Sequence, residues 1–91
     1  MKIIVLRESA VDDLDRIDAW LSTIEDARPD QVRARIGAAI TSLERLGDIG
    51  RPSLIEGLRE LSVRTAPYVI VYAADGDVIE IVAVFHTAQK R

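Results

Sequence analysis

The sequence predicts an α+β fold, in which a two-helix antiparallel hairpin packs on one face of a mainly antiparallel sheet of about four strands. Two amphipathic helical patterns fill the first half of the 91 residues, and three strand patterns fill the second half. A short β-branched run precedes the helices. Because helices and strands are segregated along the chain, the order β-α-α-β-β-β favours α+β over an alternating α/β arrangement. With no long linker, we expect a single domain over residues 1–91.

The first two elements are a strand and a helix. Residues 2–6 read KIIVL, a β-branched run that ends at a charged pair and is typical of a strand. Ser9 is the expected N-cap of a helix over about residues 9–23, because a serine hydroxyl can accept a hydrogen bond from a free amide in the first turn. Apolar residues then recur at spacings of three and four, which predicts a buried stripe. That stripe is Val11, Leu14, Ile17 and Leu21.

A second helix follows a break at residues 25–29. Pro29 suits a first helical turn, where its missing amide hydrogen costs nothing. Gly47 suits the carboxyl end, because glycine readily adopts the left-handed conformation found there. Two helices of similar length joined by a tight break predict an antiparallel hairpin. The second buried stripe is Val32, Ile36, Ile40 and Leu43.

Strand patterns dominate after the loop at residues 47–57. LRELSVR alternates apolar and polar residues, whereas PYVIVYA is nearly all apolar, as expected for a central strand with both faces covered. Asp75-Gly76 predicts a hairpin turn, and VIEIVAVFH predicts a long final strand. In that strand, simple alternation places His86 on the same face as Glu80, Val82 and Val84. With the helices on one side, the other face of the sheet is expected to be open, concave and mixed in polarity.

Composition excludes several kinds of site. The absence of cysteine rules out disulfides and thiolate metal ligands, and a single histidine cannot form a multi-histidine metal centre. We therefore expect neither a metal nor a cofactor. The net charge is −3, and all of it comes from residues 1–50, so the whole molecule lacks the basic character of most nucleic-acid-binding proteins. No apolar run approaches the length of a membrane span or a signal-peptide core, which favours the cytoplasm.

No catalytic motif emerges from the residues alone. The chain has no glycine-rich phosphate loop between a strand and a helix, and its serines lack the context of a nucleophile. The ordered set GLREL, PYVIVY and DGDVIEIVAVFHTAQ is more informative, as is the early ESAVDDLDRI. Together these segments resemble the ParE/RelE superfamily of toxins from bacterial type II toxin–antitoxin systems, and the resemblance covers the whole chain. It implies a cognate antitoxin as a protein partner.

The superfamily has two functional branches. The overall resemblance does not distinguish them, and only a few residue positions bear on which branch this chain resembles. RelE-like members cut messenger RNA on the ribosome, whereas ParE-like members poison DNA gyrase. The ribonucleases usually carry an arginine in the central strand, and here Val69 occupies that position, so the residue that would stabilise phosphate charge is missing. His86 matches a histidine that ends the last strand in both branches. It is either a structural or contact residue or, in the ribonuclease alternative, the general acid/base, with Arg64 as a second catalytic residue.

The remaining candidates are basic residues and one tryptophan. Contacts to the target or to RNA would come from Arg51, Arg59, Arg64, His86, Lys90 and Arg91. The plain alternative for Arg59 is pairing with an acid such as Glu80 or Glu56. Trp20 is either buried between the helices or, if exposed, a contact for the antitoxin, because tryptophan is enriched at interface hot spots.

These observations favour a ParE-like toxin that binds a target such as DNA gyrase and is neutralised by its antitoxin. On that hypothesis the protein has no chemical active site. Its contact surface would be the open sheet face and the segment after His86. The alternatives are a RelE-like ribosome-dependent mRNA endoribonuclease and a degenerate, non-toxic binding module. RNA readers normally use aromatic stacking platforms, and this chain has no aromatic residue after Phe85.

Overall fold

The computed structural model describes residues 1–88 and has seven elements in the order β-α-α-β-β-β-β. They are β1 (Ile3–Leu6), α1 (Glu8–Leu21), α2 (Pro29–Leu46), β2 (Arg51–Pro52), β3 (Arg59–Ser62), β4 (Tyr68–Asp75) and β5 (Val78–His86). The five strands form one sheet in the order β1-β5-β4-β3-β2, in which β1 runs parallel to β5 and the other neighbours are antiparallel. The α+β prediction is confirmed, with one strand more than expected. The additional strand, β2, lies inside the predicted loop.

The core lies between the two helices and one face of the sheet. Ala10 on α1 and Leu43 on α2 are fully buried against Ile70 and Tyr72 of β4 and Ile81 of β5. Every second side chain of β4 enters this layer, as expected for a strand. The central-strand prediction is confirmed, because the first five residues of β4 are all buried.

The second helix has the predicted ends. Pro29 is in its first turn, and Gly47 follows its last residue with a φ of 83°, a value that favours glycine. Arg33 links the two helices, because its guanidinium donates to Asp18 on α1 at 2.5 Å and to Asp30 at 3.0 Å. These two carboxylates raise the pKa of Arg33. Neither helix in residues 1–88 is long and apolar enough to cross a membrane.

The predicted cap of the first helix is wrong. The helix starts one residue earlier, at Glu8, and its N-cap is Arg7, whose side chain caps no amide. Ser9 lies within the first turn, and its hydroxyl instead donates to the carbonyl oxygen of Val82 on β5 at 2.6 Å. The strand offers this acceptor because of an irregularity that the sequence pattern does not reveal.

That irregularity is a β-bulge in β5. Val71 pairs with Ala83 and Tyr72 pairs with Ile81, so Val82 has no partner on β4. One additional residue reverses the face on which all later side chains lie. Val84 and His86 consequently face the helices, whereas Glu80 faces the other side and pairs with Arg7 at 2.7 Å. The expectation that His86 shares a face with Glu80 is therefore wrong.

Candidate functional site

The candidate residues lie in two separate parts of the sheet rather than in one cluster. Arg59 is opposite Tyr72, near the middle of β4, and His86 is opposite Tyr68, where β4 begins. Four residues along a strand span about 13 Å. Lys90 and Arg91 lie outside the described residues.

Arg59 is held by a network beneath the loop that precedes β2. Its Nε donates to Asp48 at 3.0 Å, and its terminal nitrogen donates to the carbonyl oxygen of Gly50 at 2.6 Å. The carboxylate partner is thus Asp48 rather than Glu80 or Glu56. The register explains this, since Arg59 lies on the helix-facing side of β3 and Glu80 is on the opposite face of the sheet.

Tyr72 completes the same network from the core side. Its hydroxyl donates to Asp48 at 2.6 Å and accepts from the amide of Gly50 at 2.7 Å. Burial, reinforced by the hydrogen bond to Asp48, raises the pKa of Tyr72. Only glycine fits at position 50, because a Cβ there would lie 2.3 Å from the carbonyl oxygen of Glu60 and 2.6 Å from the Tyr72 hydroxyl. The network attaches the loop to the sheet. Its polar groups, on Arg59, Asp48 and Tyr72, already have hydrogen-bond partners within the protein.

Arg51 is also paired, on the opposite face of the sheet. It donates to Glu60 at 3.2 Å, and Ser53 donates to the other oxygen of the same carboxylate at 3.1 Å.

Arg64 differs, because it lies in the turn beyond β3 and no hydrogen bond or ion pair of its side chain is found within residues 1–88. It lines a surface groove with Arg35 and Ser42 of α2. Of the three described arginine candidates and His86, Arg64 is the one most available to a partner.

His86 is partly buried within an aromatic cluster. Its ring makes edge contacts with Tyr68 at a centroid distance of 5.2 Å and with Trp20 at 6.1 Å. Its Nδ1 accepts a hydrogen bond from the backbone amide of Ala88 at 3.0 Å, and the amide of Thr87 donates to the carbonyl oxygen of Pro67 at 2.7 Å. The histidine therefore fixes the direction in which the chain leaves β5.

Trp20 lies at the carboxyl end of α1 and is 51% exposed. Of the two hypotheses for this residue, burial between the helices is wrong, because α1 turns the indole towards His86 and solvent. The indole and imidazole planes meet at 79°, in an edge-to-face arrangement, and about half of the tryptophan surface remains accessible. An exposed tryptophan supported by a neighbouring ring has the form of an interface anchor.

Val69, the valine at the position of the expected arginine, is only 4% exposed. It lies on the face of β4 away from the helices, between Ser62 on β3 and Phe85 on β5. The cation that comes nearest among residues 1–88 is Arg51, whose guanidinium donates to the hydroxyl of Ser62 at 3.4 Å from the neighbouring edge of the sheet. Within residues 1–88 there is no group of three or more histidine, aspartate or glutamate side chains that could hold a metal ion.

Sequence reasoning missed three residues that shape this region. Asp48 joins Arg59 to Tyr72, and the turn at Leu54 and Ile55 presents two exposed apolar side chains beside the sheet. The combination Gly-Asp-x-Gly before a strand was a possible signal of a tightly packed turn, since the second glycine allows close approach of the backbone. Nothing in the sequence indicated which arginine would meet the aspartate.

Solved structures with the same fold include toxins and toxin–antitoxin complexes. The chromosomal ParDE toxin–antitoxin system from P. aeruginosa matches with a TM-score of 0.71 and 21% identity, covering 94% of this chain and 96% of that one. The E. coli RelBE complex matches with a TM-score of 0.67 and 14% identity over the full length of both chains. At these identities the likeness establishes the fold and not the target.

Sequence relatives establish the family. A curated protein of Sinorhizobium fredii, named "Putative toxin Y4kP", is 38% identical over 77 residues, which cover 85% of this chain and 79% of that protein. The family model for the ParE toxin of the type II toxin–antitoxin system parDE matches residues 4–91. The chain therefore belongs to the ParE toxin family, within the ParE/RelE superfamily of type II toxin–antitoxin toxins.

Proposed function

We propose that this toxin is ParE-like in action: it inhibits growth by binding a protein target such as DNA gyrase, and a cognate antitoxin neutralises it. The observation that carries the proposal is Val69. A ribonuclease of this fold would need a cation on the central strand to stabilise the charge of the reacting phosphate. Val69 is apolar and only 4% exposed, so its side chain offers no charge to a phosphate.

The other polar candidates agree with a binding role. Arg59 and Arg51 are engaged by Asp48 and Glu60, and His86 uses Nδ1 to hold the Ala88 amide. A general acid/base must instead reach the proton that it transfers. We assign His86 to shaping the end of the sheet.

The proposed target-contact surface is the sheet end at which β4 begins. Arg64 lies there just beyond β3, and His86 lies there at the end of β5, followed in sequence by Lys90 and Arg91. Trp20 borders the same end through its contact with His86. We assign Trp20 to the antitoxin, because an exposed indole supplies a large contact area with little conformational freedom to lose.

The proposed function is tested by inducing the protein alone in bacterial cells. An SOS reporter and 5′-end mapping of messenger RNA are read in parallel. We expect SOS induction, filamentation and intact transcripts. New transcript ends that appear within minutes and are lost in His86→Ala would instead establish the ribonuclease, and normal growth would establish a non-toxic binding module.

The contact surface is tested by paired arginine variants. Arg64→Ala is expected to reduce toxicity at unchanged protein level and unchanged thermal stability. Arg45→Ala is the matched control, because Arg45 is an exposed arginine on α2 away from this end of the sheet. Equal toxicity of the two variants would remove Arg64 from the contact surface.

A further inference from the structure

The sheet face opposite the helices carries an apolar cavity beside an apolar projection. The cavity has a volume of about 130 Å³, and its walls include Val71, Val82, Ala83 and Phe85. Its rim is the turn between β2 and β3, where Leu54 is 99% exposed. An apolar cavity of about 150 Å³ can hold a benzene molecule, so this one is the size of one branched or aromatic side chain.

The projection is a fixed part of the structure. The amide of Ser53 donates to the carbonyl oxygen of Leu58 at 2.9 Å. The amide of Leu58 donates to the carbonyl oxygen of Ile55 at 3.1 Å. The hydroxyl of Ser53 also donates to Glu60 on the sheet. The backbone that carries Leu54 is therefore held in place before any partner arrives, which lowers the entropic cost of association.

The arrangement favours a second copy of the chain as the occupant. Projection and cavity are adjacent on one face, so a two-fold axis between them would let each copy insert its leucine into the other copy's cavity. The charges beside the turn are also complementary under such an axis. Arg51 lies at one side, and its side chain stays 62% exposed although it pairs with Glu60 at 3.2 Å, so it can face a second carboxylate. Glu56 is an exposed anion in the turn and has no ion pair within the described residues.

We propose that two copies of this chain form a two-fold dimer in which Leu54 of each copy enters the cavity of the other, with Glu56 of one copy facing Arg51 of its partner. This dimer does not depend on the proposed function. It leaves the sheet end with Arg64 and His86 accessible, because the turn precedes β3 whereas Arg64 follows it, and His86 faces the helices rather than the cavity.

The test is sedimentation equilibrium of the full chain over a range of concentrations. The wild type is expected to dimerise with a Kd below about 1 mM, and Leu54→Asp is expected to raise that Kd by tenfold or more. Leu46→Asp is the matched control, because Leu46 is an exposed leucine at the end of α2. It should dimerise like the wild type. Leu54→Asp removes no packing from the monomer, so its thermal unfolding should be unchanged.

A second variant changes the cavity side of the same proposed interface. Ala83→Leu fills the cavity from its wall, and it should abolish the dimer even though Leu54 is present. A wild type that stays monomeric overturns the proposal, as does a dimer that survives both Leu54→Asp and Ala83→Leu. Loss of antitoxin binding in Leu54→Asp, with a monomeric wild type, would assign the cavity to the antitoxin instead.

Discussion

Asp13 on α1 accepts a hydrogen bond from the backbone amide of Val84 on β5, with a distance of 3.0 Å between Oδ2 and N. One turn earlier on the same helix, Ser9 donates to the carbonyl oxygen of Val82. Both backbone groups adjoin the bulge, where the ladder to β4 is interrupted. The helix therefore supplies the partners that the neighbouring strand does not, and the bulge in turn sets the face on which His86 lies.

Removing the Asp13 carboxylate should destabilise the fold. We expect Asp13→Ala to lower the free energy of unfolding by about 1–3 kcal/mol, because the part-buried Val84 amide loses its acceptor. Urea denaturation measures the change. Asp12→Ala is the control, since Asp12 is an exposed neighbour on the same helix, and it should alter stability by no more than about 0.5 kcal/mol. Equal losses in the two variants would mean that the bond to Val84 contributes nothing measurable.

Arg59 should be important for stability. Arg59→Ala removes the hydrogen bonds to Asp48 and Gly50, and we expect a loss of about 1–3 kcal/mol, towards the lower end because the ion pair is partly exposed. Arg64→Ala should be near neutral by the same urea measurement. A double-mutant cycle with Asp48→Ala isolates the pair, and additive losses would contradict a direct interaction.

Two glycines should respond to alanine in opposite directions. Gly50→Ala places a Cβ against backbone and a tyrosine hydroxyl, so we expect clear destabilisation and loss of the hydrogen bonds around Tyr72. Gly37 lies inside α2 with nothing within 4 Å of the added carbon, so Gly37→Ala should raise stability by about 0.5–1 kcal/mol. Thermal melts of both variants test the pair. If Gly37→Ala is destabilised, other atoms must lie within 4 Å of the added carbon.

Periodicity was sufficient to predict the layers of the fold but insufficient to predict the faces of the last strand. VIEIVAVFH is apolar at both parities around Val82, so nothing in the pattern marks an additional residue, and the predicted face of His86 was wrong. The two residues of β2 are too few to show alternation, and they are a strand only because β3 pairs with them. The Asp48–Arg59 pair depends on how a loop folds back, which is a tertiary property. The roles of Arg51, Arg64, Lys90 and Arg91 remain predictions.

Stability should fall in alkali, partly because of Tyr72. Its pKa is raised in the folded state, so the native protein keeps this proton after the unfolded chain begins to lose it, near pH 10. A native state that binds more protons loses stability as pH rises, which places the decline above about pH 10. Tyr68 contributes in the same direction, because burial raises its pKa as well. Urea denaturation between about pH 8 and 11 should show a shallower decline in Tyr72→Phe than in the wild type. If the stability of both proteins declines equally with pH, Tyr72 is not a cause of the alkaline loss of stability.

The tautomer of His86 tests the contact that directs the end of the chain. Because Nδ1 accepts the Ala88 amide, the neutral ring must carry its proton on Nε2. Long-range ¹⁵N NMR at alkaline pH should therefore show the Nε2–H tautomer, and His86→Ala should shift the Ala88 amide and speed its hydrogen exchange. Trp20→Phe is the control, since it changes the ring contact but leaves the acceptor in place, and it should retain the tautomer. An Nδ1–H tautomer in the wild type would contradict the hydrogen bond from the Ala88 amide. Nδ1 would then have no role in holding the end of the chain, and the acid/base alternative for His86 would be strengthened.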